Sequence, residues 1–165
     1  MSKSIEQLIL ALNKECEIYQ DYLNLANKKK AIIIEGNVKE LERITQQEQD
    51  IIVNMGKIDQ IRTAIVGNIL HELDIEYIGN ISDLSNYLEP LYKTKVVDLK
   101  NKLESLLREI QHLNELNAKL IHQSLDYIDF NMNVITSLDT AGSTYGDEAN
   151  EKDLKKKSSI FDAKV

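Results

Sequence analysis

The spacing in this chain most typical of catalytic chemistry is Glu109-Ile110-Gln111-His112. A glutamate followed three positions later by a histidine places a carboxylate and an imidazole on one helix face, as in four-helix di-iron proteins. A di-iron site also needs a second such pair and two further inward glutamates, and this pair stands alone. Ile110, and neither Glu109 nor His112, lies on the apolar ladder described below. We therefore predict a solvated face here, with no metal and no other cofactor.

Other candidates for catalysis are equally isolated. His71, His112 and His122 have no metal-ligand spacing, and the sequence contains no phosphate-binding glycine loop or nucleophile elbow. Cys16 is the only cysteine, and it fits an apolar stripe, which favours a small buried residue over a reactive thiol. Enzyme activity is therefore not expected.

The overall charge narrows the class of partner. The formal net charge is -7 and the pI is near 5.0, whereas binding to nucleic acid or to an anionic membrane needs a basic face. No apolar run reaches the roughly 20 residues that cross a bilayer, and the N-terminus lacks the pattern of a cleavable signal. We predict a cytoplasmic protein with no nucleic-acid partner and no direct membrane insertion.

The longest element is an a/d ladder from Val96 to Leu138, sustained over about six heptads. If the ladder is helical throughout, it spans roughly 60 Å at ~1.5 Å per residue. Its first part, to Leu113, is aliphatic and predicts bundle core, whereas the part from Asn117 onward predicts a surface with another task. The polar or aromatic ladder positions in that second part are Asn117, Ser124, Tyr127 and Asn131.

Two earlier apolar stripes predict two more long helices. Gly36 separates them, since glycine takes the left-handed conformation past a helix end, and Asn37 follows as a cap. Glu48 and Arg62 lie on the second stripe, and we expect them to pair across helices. Serine caps are expected for the first helix and for a short connector helix, at Ser4 and Ser82 respectively.

The predicted fold is all-α: an antiparallel helical coiled-coil bundle of three long helices, the third the longest, with a short connector helix and a flexible C-terminal tail. In the tail, Ile160 and Phe161 form a small apolar cluster that suits either a short binding motif or a contact with the bundle. The predicted ranges are 4–35, 38–72 and 90–139 for the helices, 73–89 for the connector, 1–139 for the bundle domain and 140–165 for the mobile tail.

Several motifs resemble FlgN-type flagellar export chaperones. They are Asn114-Glu115-Leu116-Asn117-Ala118-Lys119-Leu120 in the third helix and Tyr145-Gly146 in the tail, together with Glu15 and Tyr19 in the first helix and Arg62 in the second. Their order and helical setting extend the resemblance over nearly the whole chain. The tail departs from the family's common Tyr-Gly-x-Asp-Gly, because Ala149 replaces the second glycine.

This resemblance implies a cytoplasmic chaperone that binds hook-associated (hook-filament junction) proteins and delivers them to the flagellar type III export gate. It places client binding on the end of the long helix and the export-gate contact on the tail. The expected client-binding residues are Asn117, Leu120, Ser124, Tyr127, Ile128, Phe130, Asn131, Val134, Ile135 and Leu138. The expected export-gate or tail contacts are Tyr145, Gly146, Ile160 and Phe161.

Two other interpretations stay open at this point. The seam of the third helix can pair with itself in a homo-oligomer, and asparagines at a positions, such as Asn117 and Asn131, fit this as well as client binding. A concentration-dependent mass measurement separates these two interpretations. The other is a metal-dependent helical-bundle enzyme, which elemental analysis tests. The sequence names neither the client nor the oligomeric state.

Overall fold

The computed structural model describes residues 2–142 of the backbone and the side chains of residues 3–137. These residues contain four helices and no strand. The prediction of an all-α helical bundle is therefore confirmed, while most of the predicted tail lies outside the described residues. The helices are α1 Ser2–Glu35, α2 Val38–Leu73, α3 Ile81–Ser85 and α4 Pro90–Gly142.

The described chain divides after Gln123 into two compact units. The first unit contains α1, α2, α3 and the first part of α4, and the second begins at Ser124 within α4. The sequence pattern placed a boundary after residue 139, where the apolar ladder ends. The units divide earlier because no side chain from Ser124 to Ser137 is buried.

A tight turn at Gly36 and Asn37 joins α1 to α2. Gly36 has a φ of 71°, a left-handed conformation that glycine adopts without a steric penalty. Its N–H donates to the carbonyl of Ile33 at 3.1 Å. Asn37 Oδ1 accepts a hydrogen bond from the N–H of Glu40 at 3.1 Å and so caps α2. The turn and the cap are both as predicted.

Side-chain pairs show that α1 and α2 run antiparallel. Arg62 Nε donates to Glu15 Oε1 at 2.9 Å, and Lys29 Nζ donates to Glu48 Oε2 at 2.7 Å. As the position in α1 rises from 15 to 29, the partner's position in α2 falls from 62 to 48. The predicted pairing of Glu48 and Arg62 across helices is confirmed.

Contacts between α1 and α4 run in the same direction along both helices. Cys16 Sγ lies 3.8 Å from the carbonyl oxygen of Leu99. Ten residues farther along α1, the carbonyl of Ala26 accepts a hydrogen bond from Asn117 Nδ2 at 3.0 Å. Within the first unit, α1 and α4 are therefore parallel to each other.

The core consists of two clusters in which α1 takes part. The first joins the start of α1 to α2, the α3 region and α4, and the second joins the middle of α1 to α4. This central position explains why α1 has the most regular buried stripe. The buried members of the first cluster are Ile5, Leu8, Leu12, Ile69, Leu84, Leu88 and Val96. Those of the second are Cys16, Tyr22, Leu23, Ala26, Leu106, Ile110 and Leu113.

The two predicted serine caps differ from the structure. Helix α1 begins at Ser2, so Ser4 lies inside it, and the Ser4 hydroxyl donates across to Glu72 of α2. The cap of α3 is Asn80, whose Oδ1 accepts from the N–H of Asp83 at 3.0 Å, and Ser82 is a residue of the helix itself. In α3 the neighbouring asparagine takes the capping role predicted for the serine, whereas in α1 the serine lies within the helix and bonds to α2.

Candidate functional site

The distal segment, defined as residues 124–137 of α4, exposes large apolar side chains. Tyr127 is 68% exposed and Phe130 is 63% exposed, and Asp126 and Asp129 are its only charged residues. A contiguous exposed apolar surface of this kind is a candidate interaction site. The exposed large apolar residues of the segment are Leu125, Tyr127, Ile128, Phe130, Met132, Val134 and Ile135.

These side chains form two stripes, because successive residues of an α-helix are about 100° apart. The Leu125 stripe consists of Leu125, Ile128, Met132 and Ile135, and the Tyr127 stripe consists of Tyr127, Phe130 and Val134. Together they cover an arc of roughly 220°. A helix that packs on one surface needs an apolar stripe of about 100° or a little more. The distal segment can therefore contact more than one partner element.

The backbone of this segment is helical without help from a partner in the described chain. Residues 91–141 contain neither glycine nor proline, the two residues that most disfavour a helix interior. Thr136 Oγ1 and Ser137 Oγ donate to the carbonyls of Met132 and Val134, both at 2.8 Å. Polar side chains are thus satisfied locally, and the apolar stripes remain available.

A buried ionic group lies between α1 and α2. Arg62 pairs with Glu15 and also donates to Asp59. Glu15 Oε2 is buried and has no hydrogen-bond partner among the described residues. Burial raises the pKa of the Glu15 carboxyl, an effect that the charge of Arg62 opposes. Burial also raises the pKa of the nearby Tyr19 hydroxyl, and the charge of Glu15 adds to this rise. These groups lie in the helix interface and stabilise it.

Asn114 and Asn117 attach α4 to α1. Asn117 is only 3% exposed, and its Oδ1 has no partner among the described residues. Asn114 Nδ2 donates to the hydroxyl oxygen of Tyr22 at 3.2 Å. The Asn-x-x-Asn motif therefore acts within the bundle, as do Glu15 and Arg62.

A family model described as FlgN protein matches residues 1–153. The chain belongs to the FlgN family. The match confirms the resemblance seen in the motifs, and it makes this FlgN-family protein a member of a chaperone family in flagellum biogenesis, not of an enzyme family. Separate searches of curated proteins and of solved structures found no match.

In this FlgN-family chain, the residues predicted to bind a client lie in different environments. Asn117 is in the core, and Leu120 and Asn131 are half-buried. The side chain of Leu138 lies outside the described residues, as do the predicted tail contacts Tyr145, Gly146, Ile160 and Phe161. The exposed members of the predicted set are Ser124, Tyr127, Ile128, Phe130, Val134 and Ile135.

Sequence reasoning missed Leu125 and Met132, which are 52% and 46% exposed. Both lie on the Leu125 stripe, between residues that the prediction included. The signal is a second ladder that begins at Ile121 and continues with steps of four and three, one position after the ladder through Leu120. The prediction included Ile128 and Ile135 of this second ladder and omitted Leu125 and Met132.

The remaining candidates for chemistry are isolated in the FlgN-family structure. Glu109 and His112 are exposed, whereas Ile110 between them is buried. Burial raises the pKa of the Cys16 thiol, which disfavours a reactive thiolate.

Among the described side chains, residues 3–137, there is no group of three or more His, Cys, Asp or Glu side chains placed to hold a metal ion. Of the described helices, none has both the length and the apolar character needed to cross a bilayer.

Proposed function

We propose that this FlgN-family chaperone binds terminal segments of hook-associated proteins in the cytoplasm, through the distal segment of α4. It keeps these clients from aggregating and delivers them to the flagellar export gate. The observation that supports this most directly is the run of seven large apolar side chains exposed between Leu125 and Ile135. An amphipathic client helix packed along this surface would remove it from water.

The size of this surface suits a complex that must later dissociate. Each of the seven side chains is already partly covered, so its further burial contributes roughly 1 kcal/mol. Association opposes this gain with a cost of at least about 4 kcal/mol in lost freedom of motion. The apolar surface alone therefore supplies at most about 3 kcal/mol, which corresponds to a millimolar affinity. Polar contacts and other segments of the client must add to it for a stable complex, and capture itself requires no nucleotide.

The bundle supports this surface by holding the earlier part of α4 in place. Asn117 is bonded to Ala26 of α1, and α1 is in turn paired with α2 through Glu15 and Arg62. In the arrangement that we propose, α2 runs antiparallel to both α1 and α4 in a three-helix coiled-coil bundle. The residues of the family motifs then brace the helix that binds the client, and Asn117 contributes through this brace.

The test is a charge placed on each side of the distal segment in the full-length chain. Ile128→Asp puts a carboxylate on the Leu125 stripe, and Asn133→Asp puts one on the polar side. We expect Ile128→Asp to weaken binding of purified hook-associated proteins at least tenfold in calorimetric titrations, because an unpaired charge against an apolar partner costs well over 1.4 kcal/mol. Asn133→Asp places its charge on the polar side, away from the apolar stripes, and should change affinity by less than about twofold. Unchanged affinity for Ile128→Asp would reject the proposed surface.

Delivery to the gate is assigned to the tail motif Tyr145-Gly146, on the basis of the family resemblance. Its test is Tyr145→Ala in cells. Export of hook-associated proteins should fall, while client affinity in solution stays at the wild-type value. Equal loss of both would assign Tyr145 to the client site instead.

A further inference from the structure

We infer that the segment of residues 154–165 binds the Leu125 stripe in the free chain and is displaced when a client binds. The inference rests on the proposed function in one respect, since both assign an occupant to the same apolar surface. It adds a competitor that is part of the chain. The family match ends at residue 153, so this segment is argued from its own sequence.

The Leu125 stripe is too small to hold a second copy of the protein by itself. Full burial of a leucine or isoleucine side chain removes on the order of 100 Å² of apolar surface from water. Four side chains, each about half exposed, thus offer about 200 Å² of apolar surface. A stable interface buries about 800 Å² per partner, of which somewhat more than half, about 450 Å², is apolar. An occupant tethered to the same chain escapes this requirement, because its effective concentration is in the millimolar range.

The segment 154–165 has the composition that such an occupant needs. It contains four lysines and one aspartate, which give a net charge of +3, and it carries Leu154, Ile160, Phe161 and Val165. The distal segment has two aspartates and no basic residue, which give a net charge of -2. Asp129 borders the Leu125 stripe, about 100° around the helix from Ile128. Apolar contact and charge attraction therefore favour the same pairing.

The connection between the two segments is long enough. Eleven residues, 143–153, separate Gly142 from the segment, and they span at most roughly 38 Å when extended. The middle of the distal segment, near Asn131, lies eleven helical residues before Gly142, which is about 17 Å. The chain can therefore turn back and reach the stripe.

The competition defines two states of the segment 154–165. Ile160 and Phe161 contact the stripe in the free chain and leave it in the client complex.

The test uses the absence of tryptophan from the sequence. Phe161→Trp in the full-length chain introduces a single tryptophan, which can be excited selectively in the presence of the seven tyrosines. We expect its emission to be shifted to shorter wavelength than that of a synthetic peptide of residues 154–165 carrying the same substitution. Adding Ile128→Asp with Met132→Asp should abolish the shift, and adding Asn133→Asp, the control on the polar side, should preserve it. Circular dichroism checks that each variant keeps its helix content.

Emission equal to that of the free peptide, or a shift insensitive to Ile128→Asp with Met132→Asp, would overturn the inference. A shift that disappears on dilution would also overturn it, because the contact would then lie between two copies. Exposed tryptophan together with client binding that Ile128→Asp abolishes would reject the inference and retain the proposed function. A shifted tryptophan together with client binding that is insensitive to Ile128→Asp would reject the proposed function and the displacement by a client, and would retain the contact of the segment with the stripe.

Discussion

At the scale of single residues, Arg62 of α2 supplies the counter-charge for a buried carboxylate of α1. Its side chain is 27% exposed, whereas the side chain of its partner Glu15 is only 3% exposed. Removing the guanidinium would leave a carboxylate buried without a counter-charge, and breaking one partner of a buried pair costs about 3 kcal/mol or more. We therefore expect Arg62→Ala to lower the free energy of unfolding by about 3 kcal/mol at pH 7, measured by urea denaturation.

The matched control is the exposed ion pair of Lys14 and Glu17, whose side chains are 59% and 65% exposed. Lys14→Ala should change the free energy of unfolding by less than about 0.5 kcal/mol, because solvent screens such pairs. If Arg62→Ala and Lys14→Ala had similar effects, the Glu15 carboxylate would not depend on Arg62.

Glu15 also predicts a pH dependence of stability. Burial raises its pKa in the folded chain above the ordinary value of 4.5, so the folded state binds its proton more tightly than the unfolded state. The contribution of the Glu15 carboxyl to the free energy of unfolding is therefore fully present below its ordinary pKa of 4.5. It is lost as pH rises through the raised pKa of the folded state. Besides burial, the charge and hydrogen bond of Arg62 lower the Glu15 pKa and the charge of Asp59 raises it.

Glu15→Gln isolates this contribution. We subtract the free energy of unfolding of Glu15→Gln from that of the wild type, so that the contributions of the other carboxyls cancel. The difference should fall as pH rises from 4 to 7, because Glu15 is then deprotonated in its buried position. Urea denaturation at several pH values measures it. A difference that rises with pH would mean that Arg62 outweighs burial and lowers the Glu15 pKa.

At the scale of elements, Asn117 fixes how α4 lies on α1. Its Nδ2 donates to the carbonyl of Ala26, and its buried Oδ1 has no partner among the described residues. Asn117→Leu removes the unpaired buried Oδ1, and the Ala26 carbonyl that loses the Asn117 bond lies inside α1, where it keeps its partner within the helix. Asn117→Leu should therefore change the free energy of unfolding by less than about 1 kcal/mol. Asn117→Asp should lower it by about 2 kcal/mol or more, since it buries a charge.

The same pair of variants tests whether Asn117 contacts a client. If Asn117 acts only inside the bundle, Asn117→Leu leaves client affinity within about twofold of the wild type, as measured by calorimetry. A loss of tenfold or more in a folded Asn117→Leu variant would place this residue in the client surface.

Element boundaries were predictable where the chemistry is local. The turn at Gly36 and the cap at Asn37 depend on a few neighbouring residues, and the periodicity of three and four placed the long helices. Ser4 was less predictable, because its partner Glu72 is remote in sequence. The same holds for the partners of Glu48 and Arg62: burial predicted that they would pair, but the choice of Lys29 and Glu15 depends on how α1 and α2 align.

The candidate site was predictable in position and incomplete in detail. Exposed residues such as Tyr127 and Ile128 follow from an apolar ladder that continues where fewer helices remain to cover it. Asn117 looks the same in sequence, and only the packing against Ala26 places it in the core. Leu125 and Met132 were omitted although Ile128 and Ile135 of the same stripe were included, so the second apolar stripe of α4 was predicted only in part.

At the scale of the whole molecule, the chain combines a packed bundle with a helical segment that has no buried side chain. The bundle contains both core clusters and the polar pairs that align its helices. Residues 124–137 contribute to neither. Local stability should follow this division, because short helices without packing are marginally stable in water.

Hydrogen exchange measures this difference directly. Backbone amides of residues 124–137 should exchange at least about tenfold faster than those of residues 96–117, where Val96, Leu106 and Leu113 are buried. A docked segment 154–165 slows exchange in residues 124–137 only modestly, since four side chains are involved. Adding a hook-associated protein should slow exchange in residues 124–137 and leave residues 96–117 unchanged, because the bundle is already packed. Equal exchange in both regions of the free chain would show that the apolar stripes are covered far more firmly than a tethered segment explains, and a permanent partner of α4 would then have to be sought.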